Sequence, residues 1–397
     1  MKQTLWIITE LFPPEETSTA YIMGEIANAM TSKYEVRVIC GPAVYDSSKR
    51  IVTDGVVISD SIRVKCVNAV AENKDSKISR IKKFLLISWR LYRVAKRNIH
   101  QGDKVLMVTN PFPLVVLMGY LRRHRAFTLD MLVHDVAPEN LFTDIRIPKC
   151  LYSSVESVFN KAYASVDLLI SIGRDMSEIL TSKVKKGSNG EALTRIALIE
   201  NWGDIANVRP AANREGDKIV IQYAGNIGNA QGVGEFVDVL HASECKEVIF
   251  GIWGTGNAEW SIKEKVKSLG LENIVHFHGP YSRSQQQDVL NDCDIALVRL
   301  VRGMYGLGVP SKTYNILAAG KPILYIGERN TEVWRIVEEN HNGFCFEPSD
   351  VCGLKEFLCG LSINKRESLS EMGRISRKLA EEKYSKEVIL KKYLDII

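Results

Sequence analysis

Short apolar runs alternate with helix-length segments along almost the whole chain. The runs of the first half are LWIITE (5–10), YEVRVIC (34–40), IRVKCV (62–67), KVLMVT (104–109), FTLDMLV (127–133), DLLISI (167–172) and IALIE (196–200). Those of the second half are KIVIQYA (218–224), EVIFGIW (247–253), IVHFH (274–278), DIALV (294–298), PILYIG (322–327) and GFCF (343–346). Continuous apolar runs of this length predict buried strands, and their alternation with helices predicts an α/β fold with parallel sheets.

One polar stretch divides this pattern into two series. Residues 203–217 carry Pro210 and few apolar side chains, and a complete strand–helix series lies on each side. A chain of 397 residues is also too long for one compact core. The pattern therefore predicts two α/β domains of similar size with a cleft between them.

Composition adds little to this picture. The chain is 45% hydrophobic and 25% charged, with a net charge of +5, which is typical of a soluble globular protein. No apolar run reaches membrane-spanning length, and the first residues indicate a strand rather than a secretion signal. The eight cysteines are scattered without a Cys-x-x-Cys pair, so we expect reduced thiols in a cytoplasmic protein, with a zinc site as the minor alternative.

The loop after the first strand contains hydroxyl side chains at a predicted helix start. Thr17 and Ser18 precede a helix beginning near Ala20, where they can cap the helix or bind a phosphate or sugar hydroxyl. This turn lacks the Gly-x-Gly-x-x-Gly pattern of dinucleotide-binding dehydrogenases, which excludes that class.

The loop after the fifth strand places a histidine and two carboxylates together. His134 and Asp135 leave the strand end, and Glu139 follows after Pro138. Such groups can hydrogen-bond a sugar or accept a proton from a hydroxyl, so His134 and Asp135 are candidate catalytic residues and Glu139 a candidate cleft residue. A purely structural histidine is the alternative.

Two glycine-rich turns follow neighbouring strands of the second half. Gly225, Gly228 and Gly232 lie in the first turn, and residues 253–260 form the second. Together the two turns predict a surface on which the backbone can closely approach a bound phosphate, although each turn alone is compatible with an ordinary tight turn. Asp292 and Asp294 resemble a metal-binding Asp-x-Asp, but they end a helix and begin a strand, so we expect no metal there.

A further candidate site lies in GVPSKTYNILAAGKPIL (308–324). Pro310 suits the start of a helix, where Ser311, Lys312 and Thr313 would meet free backbone N–H groups. Lys312 adds a full positive charge, and Asn315 follows one turn later. The stretch is suited to hold a diphosphate leaving group, or it is an ordinary capped helix.

The order of these motifs resembles a known family. The relevant segments, in chain order, are FPPEETSTA (12–20), IENWGD (199–204), YAGNIGNAQG (223–232), FHGPYS (277–282), PSKTYNILAAGKPIL (310–324) and TEVWRIVEENHNGFCFEPSD (331–350). They are similar to segments of retaining group 1 glycosyltransferases (family 4), in the branch with N-acetylfucosamine-type transferases of bacterial O-antigen and capsule. Each motif is weak alone, and their joint order covers nearly the whole chain.

The resemblance implies a fold and a domain division. The expected fold is GT-B: two facing Rossmann-like domains with an interdomain cleft. It assigns residues 1–205 to an acceptor-side domain, 206–380 to a nucleotide-sugar domain, and 381–397 to a C-terminal helix that crosses back to the first domain.

The resemblance also assigns residues, with two departures from the family pattern. The donor phosphates would contact Gly225, Asn226, Gln231, Ser311, Lys312, Thr313 and Asn315. Asn226 and Gln231 stand where many members have Arg and Lys, and Lys312 would supply the missing charge. Leu307 and Asn315 stand where many members have paired glutamates. The second glutamate usually holds the ribose, so the resemblance implies that Asn315 hydrogen-bonds a ribose hydroxyl. Pro280 and Tyr281 would line the base pocket.

The implied reaction moves a sugar from a nucleotide sugar, with UDP favoured, to a lipid-linked glycan in surface polysaccharide synthesis. It needs no essential metal and no cofactor, and the leaving diphosphate helps to deprotonate the acceptor, so His134 and Asp135 need only orient it. Two alternatives stay open. The first is an inactive partner of another transferase, which the missing glutamates support. The second is a nucleotide-sugar epimerase on the same scaffold.

Residues 76–101 contain eight Lys or Arg and no acidic residue. Their apolar spacing predicts a basic amphipathic helix, with Ile78, Ile81, Leu85, Ser88, Tyr92 and Ala95 on one face. We expect it to attach the protein peripherally to the inner face of the cell membrane through Lys82, Lys83, Trp89 and Arg90. A second basic cluster lies at 122–125. The alternative is a solvated charged face, and nothing else in the sequence indicates nucleic-acid binding.

Overall fold

The computed structural model describes residues 2–15, 17–42, 56–69, 77–141, 148–188, 193–212 and 214–397. These residues form two compact units. The first comprises Met1–Glu200, Gly306–Val309 and Leu390–Ile397, and the second comprises Asn201–Tyr305 and Pro310–Ile389. Residue 76 of the basic stretch and the side chain of Ile78 lie outside the described part of the chain.

The first unit contains a parallel sheet of seven strands. They are β1 (Thr4–Thr9), β2 (Glu35–Cys40), β3 (Arg63–Cys66), β4 (Lys104–Val108), β5 (Thr128–Val133), β6 (Leu168–Ser171) and β7 (Arg195–Leu198). Their order is β3-β2-β1-β4-β5-β6-β7, so the direction of winding reverses at β1. Each neighbouring pair is parallel. This is the doubly wound arrangement.

Helices connect these strands. They are α1 (Ser18–Met30), α2 (Lys77–Asn98), α3 (Phe112–His124), α4 (Lys149–Tyr163) and α5 (Arg174–Gly187), with a short 3-10 turn at Glu139–Leu141. Thr17 caps α1, since its hydroxyl accepts a hydrogen bond from the Ala20 amide at 3.2 Å. α1 therefore begins two residues before the predicted start near Ala20.

The second unit contains a parallel sheet of six strands. They are β8 (Ile219–Ala224), β9 (Val248–Trp253), β10 (Val275–Gly279), β11 (Ile295–Arg299), β12 (Ile323–Ile326) and β13 (Gly343–Phe346). Their order is β10-β9-β8-β11-β12-β13, so the winding reverses at β8. In doubly wound sheets, ligands bind beyond the carboxyl ends of the strands at such a reversal.

The helices of this unit, named in chain order, are α6 (Val233–Ser243), α7 (Glu259–Ser268), α8 (Gln286–Asn291), α9 (Lys312–Ala318), α10 (Glu332–Asn340), α11 (Val351–Cys359) and α12 (Arg366–Glu382). Helix α13 (Lys386–Ile396) begins in the second unit, and its residues from Leu390 onward belong to the first. Short 3-10 turns lie at Asn229–Gln231 and Ile363–Lys365.

The core of the second unit forms around its central strands. All six residues of β8 are buried. Phe236 of α6 meets Phe250 of β9 edge to face, with ring centroids 4.8 Å apart. Such an aromatic pair adds about 0.5–1.5 kcal/mol beyond its buried area. This packing fixes the strand ends from which the glycine-rich loops leave.

The predicted α/β fold with two Rossmann-like domains is confirmed. Each of the thirteen predicted strand runs overlaps one observed strand. All eight cysteines are free thiols. Within the described part of the chain, no helix is both long and apolar enough to cross a bilayer.

Candidate active site

In the second unit, the loops after β8, β9 and β10 are joined through their backbones. The Gly225 amide donates to the Trp253 carbonyl at 2.9 Å, and the Gly254 amide donates to the Gly279 carbonyl at 2.7 Å. Gly254 has φ +120°, and a Cβ there would lie 1.9 Å from the Gly225 carbonyl oxygen. Only glycine permits this contact, so the sequence of the loop brings the three strand ends together.

Lys312 reaches this loop from the start of α9. Its Nζ lies 3.5 Å from the centroid of the Tyr223 ring, and a Cβ on Gly225 would lie 2.8 Å from that nitrogen. Gly225, with φ +142°, therefore leaves room for the ammonium group. The sequence placed Lys312 and Gly225 in separate motifs, and the structure brings them into contact.

Among the described residues, no carboxylate pairs with the ammonium group of Lys312. Its Nζ is buried and has no hydrogen-bond partner in that part of the chain, and burial lowers the pKa of Lys312 to about 7. Lys312 as a whole residue is half-buried, whereas its Nζ atom is fully buried. The Tyr223 ring compensates only in part, because a cation over an aromatic face gains about 0.5–2 kcal/mol. A bound anion would complete this site.

The other predicted phosphate residues differ in their contacts. Ser311 makes no capping hydrogen bond, and the Thr313 hydroxyl is buried without a partner. The side chain of Asn226 is exposed beside the loop. Of these three, Thr313 is the one whose hydroxyl is enclosed and unsatisfied.

Gln231 and Asn315 use their side-chain oxygens inside the protein. Gln231 Oε1 accepts from the Gly228 amide at 3.1 Å, which closes the turn. Asn315 Oδ1 accepts from the Asp204 amide at 2.8 Å. The oxygen that was expected to reach a ribose thus holds the segment before β8, and only the Asn315 amide nitrogen is left to donate.

An aromatic group lies at the ends of β9 and β10. Trp253 stacks on His278 with ring centroids 4.5 Å apart and 8° between the planes, and Tyr281 meets Trp253 edge to face at 6.2 Å. Trp253 Nε1 is buried without a partner, and burial lowers the pKa of His278. Pro280 is exposed next to them. Sequence reasoning named Pro280 and Tyr281 as base-pocket residues, which stays a prediction, and did not name Trp253 and His278, whose signal was their position at two strand ends.

In the first unit, the end of β5 is joined to residues 306–309. The Val136 amide donates to the Leu307 carbonyl at 2.9 Å, and Asp135 pairs with Gly308 in an antiparallel bridge. A Cβ on Gly308 would lie 3.0 Å from Asp135 Oδ1. Leu307, the position where the family pattern has its first glutamate, is thus bound through its backbone to the residue that follows Asp135, and its neighbour Gly308 lies against the Asp135 carboxylate.

His134 and Asp135 have strongly shifted pKa values. Burial lowers the pKa of His134 to about 4, and its Nε2 is buried without a hydrogen-bond partner in the ranges that the structure describes. Burial raises the pKa of Asp135 to about 6, while a hydrogen bond from Asn140 Nδ2 at 2.8 Å opposes the shift. At neutral pH, His134 is a neutral imidazole and Asp135 is largely ionised.

Glu139 is held in an ion pair. Its Oε1 lies 2.6 Å from Lys183 Nζ, and the Lys183 side chain is buried. Asn160 Oδ1 accepts from the same ammonium group at 3.4 Å. Glu139 was a candidate cleft residue, and in the structure it neutralises the buried ammonium group of Lys183 within the first unit.

The two aspartates of the Asp-x-Asp motif have basic partners. Asp294 accepts from Arg366 Nε at 3.1 Å, and Asp292 lies 3.2 Å from Arg214 Nε. Over the ranges that the structure describes, no three His, Cys, Asp or Glu side chains group together as metal ligands would.

Helix α2 presents a different face from the predicted one. Ser88, Tyr92 and Ala95 are buried, whereas Ile81 and Leu85 are 57% and 54% exposed. These two apolar residues were expected on the same face as the other three. The exposed apolar residues instead form their own stripe with Trp89, which is 49% exposed.

The four predicted membrane residues are therefore not equivalent. Lys82 and Trp89 are exposed. Lys83 is buried, so its prediction as a membrane-facing residue is wrong. Arg90 Nη1 donates to the carbonyls of Asn68 and Ala69, both at 2.8 Å. The apolar spacing alone did not fix the rotation of the helix.

Residues 204–378, which include the glycine-rich loops and Lys312, match the family model of "Glycosyl transferases group 1". These residues of the second unit are therefore similar to a group 1 glycosyltransferase domain. A relative in Pseudomonas aeruginosa, "Probable glycosyltransferase WbjE", is 28% identical over 98% of this chain and 96% of that protein. The protein is thus a glycosyltransferase enzyme.

Further relatives extend this finding. "Putative colanic acid biosynthesis glycosyl transferase WcaI" of Escherichia coli K12 is 26% identical over 59% of this glycosyltransferase and 57% of that protein. The solved sucrose-phosphate synthase of Thermosynechococcus elongatus has a TM-score of 0.76 at 13% identity, over 100% of this chain and 98% of that one. HepE of Anabaena, solved in complex with UDP, has a TM-score of 0.68 at 14% identity, over 100% and 99%. At these identities the solved structures show the fold.

Proposed function

We propose that this glycosyltransferase moves a sugar from a UDP-sugar to a lipid-linked glycan, with retention of configuration and without a metal, during surface polysaccharide synthesis. The name of WcaI supports the pathway class, and the UDP complex of HepE supports the nucleotide. The resemblance of the chain to retaining transferases supports the stereochemistry.

The observation that carries this proposal is the buried, unpaired ammonium group of Lys312 beside Gly225. A diphosphate is the anion that a nucleotide sugar would place there. Because the surroundings are poorly solvated, the attraction between the ammonium and the departing diphosphate is stronger than it would be in water. A positioned cation of this kind stabilises the charge that develops as the sugar leaves.

In the proposed reaction, the bond between the anomeric carbon and the diphosphate oxygen breaks. The acceptor hydroxyl oxygen forms a bond to the same face of that carbon, and the hydroxyl proton passes to the leaving diphosphate. UDP and the glycosylated acceptor are the products, so atoms and charges balance. No protein base is required, and Lys312 holds the diphosphate throughout.

The remaining groups receive supporting roles in this proposal. Trp253, His278 and Tyr281 offer aromatic surface and an unpaired indole N–H for the base. His134 and Asp135 orient the acceptor hydroxyl, one as a neutral imidazole and the other as a carboxylate. Neither residue acts as the base that removes the proton of the acceptor hydroxyl.

Replacement of Lys312 by methionine tests the proposal. Lys312→Met keeps most of the side-chain volume and removes the charge. We expect kcat to fall by about 100-fold or more, as for other removed transition-state contacts. We also expect UDP to lose most of its stabilising effect in thermal unfolding, because stabilisation follows binding to the native state.

The control is Lys267→Met, which removes an exposed lysine from α7. It should retain turnover and the UDP-induced shift. The unliganded Lys312→Met protein should unfold no earlier than the parent, since a buried unpaired charge has been removed. Full activity in Lys312→Met would contradict the proposal.

The proposed location is the inner face of the cell membrane, as a peripheral protein. The exposed stripe of Ile81, Leu85 and Trp89 on α2 supports it, together with exposed Lys82. Apolar and basic groups side by side on a helix are the features that interfacial helices use.

A further inference from the structure

A cationic depression lies in the first unit, where the C-terminal ends of α2 and α3 meet. Its volume is about 930 Å³. Arg93, Lys96 and Arg97 come from α2, and His124 and Arg125 come from the end of α3. The two basic segments that the sequence showed separately thus form one surface.

The lining of this depression has no carboxylate. Arg93, Lys96 and Arg97 are exposed, and in the described part of the chain none of them has an ion-pair partner. Lys96 Nζ lies over the Tyr92 ring at 6.0 Å, which is a weak contact. Several uncompensated cations at one place repel each other and attract an anion.

Capping of the helices explains only part of this charge. Arg125 Nη1 donates to the carbonyls of Lys96 and Ile99, at 2.6 and 3.3 Å, and so satisfies the end of α2. Cations in the last helical turn also interact favourably with the helix dipole. Arg93 lies a turn earlier, and its guanidinium contributes to neither carbonyl, so the depression holds more charge than the helix ends require.

The apolar stripe of α2 leads directly into the depression. Ile81, Leu85 and Trp89 follow each other at four-residue spacing, and Trp89 also lines the depression. Over this distance the helix rises about 12 Å. A ligand that matches both parts carries an anionic group next to a hydrocarbon region, as a membrane phospholipid does. A nucleic acid has no hydrocarbon region that would contact the exposed aliphatic side chains of the stripe.

We propose that this depression binds the phosphate headgroup of an anionic membrane lipid, while Ile81, Leu85 and Trp89 contact the acyl region. This inference rests on the proposed membrane location and names the group that is recognised there. Arg93 and Arg97 supply the charge, and Trp89 lies between the polar and the apolar part.

The test uses the full chain and vesicles of phosphatidylcholine, with or without phosphatidylglycerol, in co-sedimentation at about 0.1 M salt, where screening is moderate. The parent protein should bind the anionic vesicles preferentially. The double variant Arg93→Gln/Arg97→Gln should bind them about 25-fold more weakly, because each of the two charges near an anionic leaflet contributes roughly fivefold.

The matched control is Lys246→Gln/Lys267→Gln, which removes two exposed charges from the second unit. It should bind the vesicles like the parent. Both double variants should keep the stabilisation by UDP, which shows that they fold and that the donor site is intact. Trp89→Ser should weaken binding to anionic vesicles as well.

Equal vesicle binding by parent and Arg93→Gln/Arg97→Gln would overturn the lipid site. The lipid site would also be overturned if Arg93→Gln/Arg97→Gln lost affinity for an RNA oligonucleotide while its vesicle binding stayed unchanged. Failure of the parent to prefer anionic vesicles would remove both the site and the membrane location. Glycosyl transfer itself is judged separately, by Lys312→Met.

Discussion

At the scale of single residues, His134 and Asp135 respond to pH in opposite directions. The Asp135 carboxyl ionises near 3.8 when exposed and near 6 in the folded protein. Between these values the folded state holds the extra proton, so stability falls as pH rises. The His134 imidazole ionises near 6.5 when exposed and near 4 when folded. There the unfolded state holds the extra proton, so stability rises with pH.

The variant Asp135→Asn separates the two contributions. Its asparagine oxygen still accepts from Asn140, and its amide does not ionise. Because a shift of about two pKa units corresponds to about 3 kcal/mol, we expect the variant to exceed the parent in free energy of unfolding by about 2–3 kcal/mol at pH 8 and by almost nothing at pH 4. Urea unfolding at several pH values measures this.

The control for this prediction is Asp60→Asn, at an exposed position of the same unit. It should leave the pH profile unchanged. An Asp135→Asn profile parallel to that of the parent would show that Asp135 does not titrate in this range. Weaker acceptor use by Asp135→Asn would further support its orienting role.

Sequence reasoning named some candidate site residues and passed over others for a physical reason. Lys312 was named because small and hydroxyl residues surround it at a predicted helix start. The burial of its Nζ depends on Gly225 and Tyr223, which are far away in sequence. Trp253 and His278 were missed because a stacked pair from two strands leaves no local pattern.

At the scale of elements, the three glycine-rich strand ends depend on one close backbone contact. Gly254→Ala would place a methyl group 1.9 Å from the Gly225 carbonyl oxygen, at φ +120°. The loops must separate to admit it. We expect a loss of about 2–4 kcal/mol in the free energy of unfolding, within the range for overpacking and backbone strain together. We expect UDP binding to weaken, as measured by calorimetry.

Gly270→Ala provides the matched control. Gly270 also has a positive φ, +65°, but a Cβ there meets nothing within 4 Å. Only the backbone strain remains, about 1 kcal/mol. UDP should bind this variant normally. Equal effects of the two substitutions would show that the contact between the loops is unimportant.

Strands were easier to predict than the orientation of helices. Buried parallel strands are apolar on both faces, so β8 appears in the sequence as an apolar run that only Gln222 interrupts. For a helix, the prediction must also give its rotation about its own axis, which decides which side chains are buried. In α2 both Ile87 and Leu91 are buried while Leu85 is exposed, and the buried position of Lys83 could not be recognised from charge.

At the scale of the whole molecule, the chain places its candidate groups in two units. Lys312 belongs to the second, and His134 belongs to the first. A transferase needs both a donor and an acceptor, whereas an epimerase needs only the nucleotide sugar. The proposed function therefore predicts a dependence on acceptor that the epimerase alternative lacks.

We expect UDP release from a UDP-sugar to rise by at least tenfold when a lipid-linked glycan acceptor is added, and to persist in EDTA. The new linkage should have the anomeric configuration of the donor, as read from the one-bond carbon–proton coupling. Inversion at the anomeric carbon would contradict the front-face displacement. Conversion of the donor sugar without acceptor would favour an epimerase.

The division of the chain has a consequence for how such enzymes can exchange specificity. The first unit is assembled from three separate segments, 1–200, 306–309 and 390–397. A recombination event with a single crossover near residue 200 would therefore import a foreign four-residue insert and a foreign final helix along with a new second unit. Viable hybrids between relatives require a resident copy of residues 306–309, whose Leu307 and Gly308 fit the end of β5.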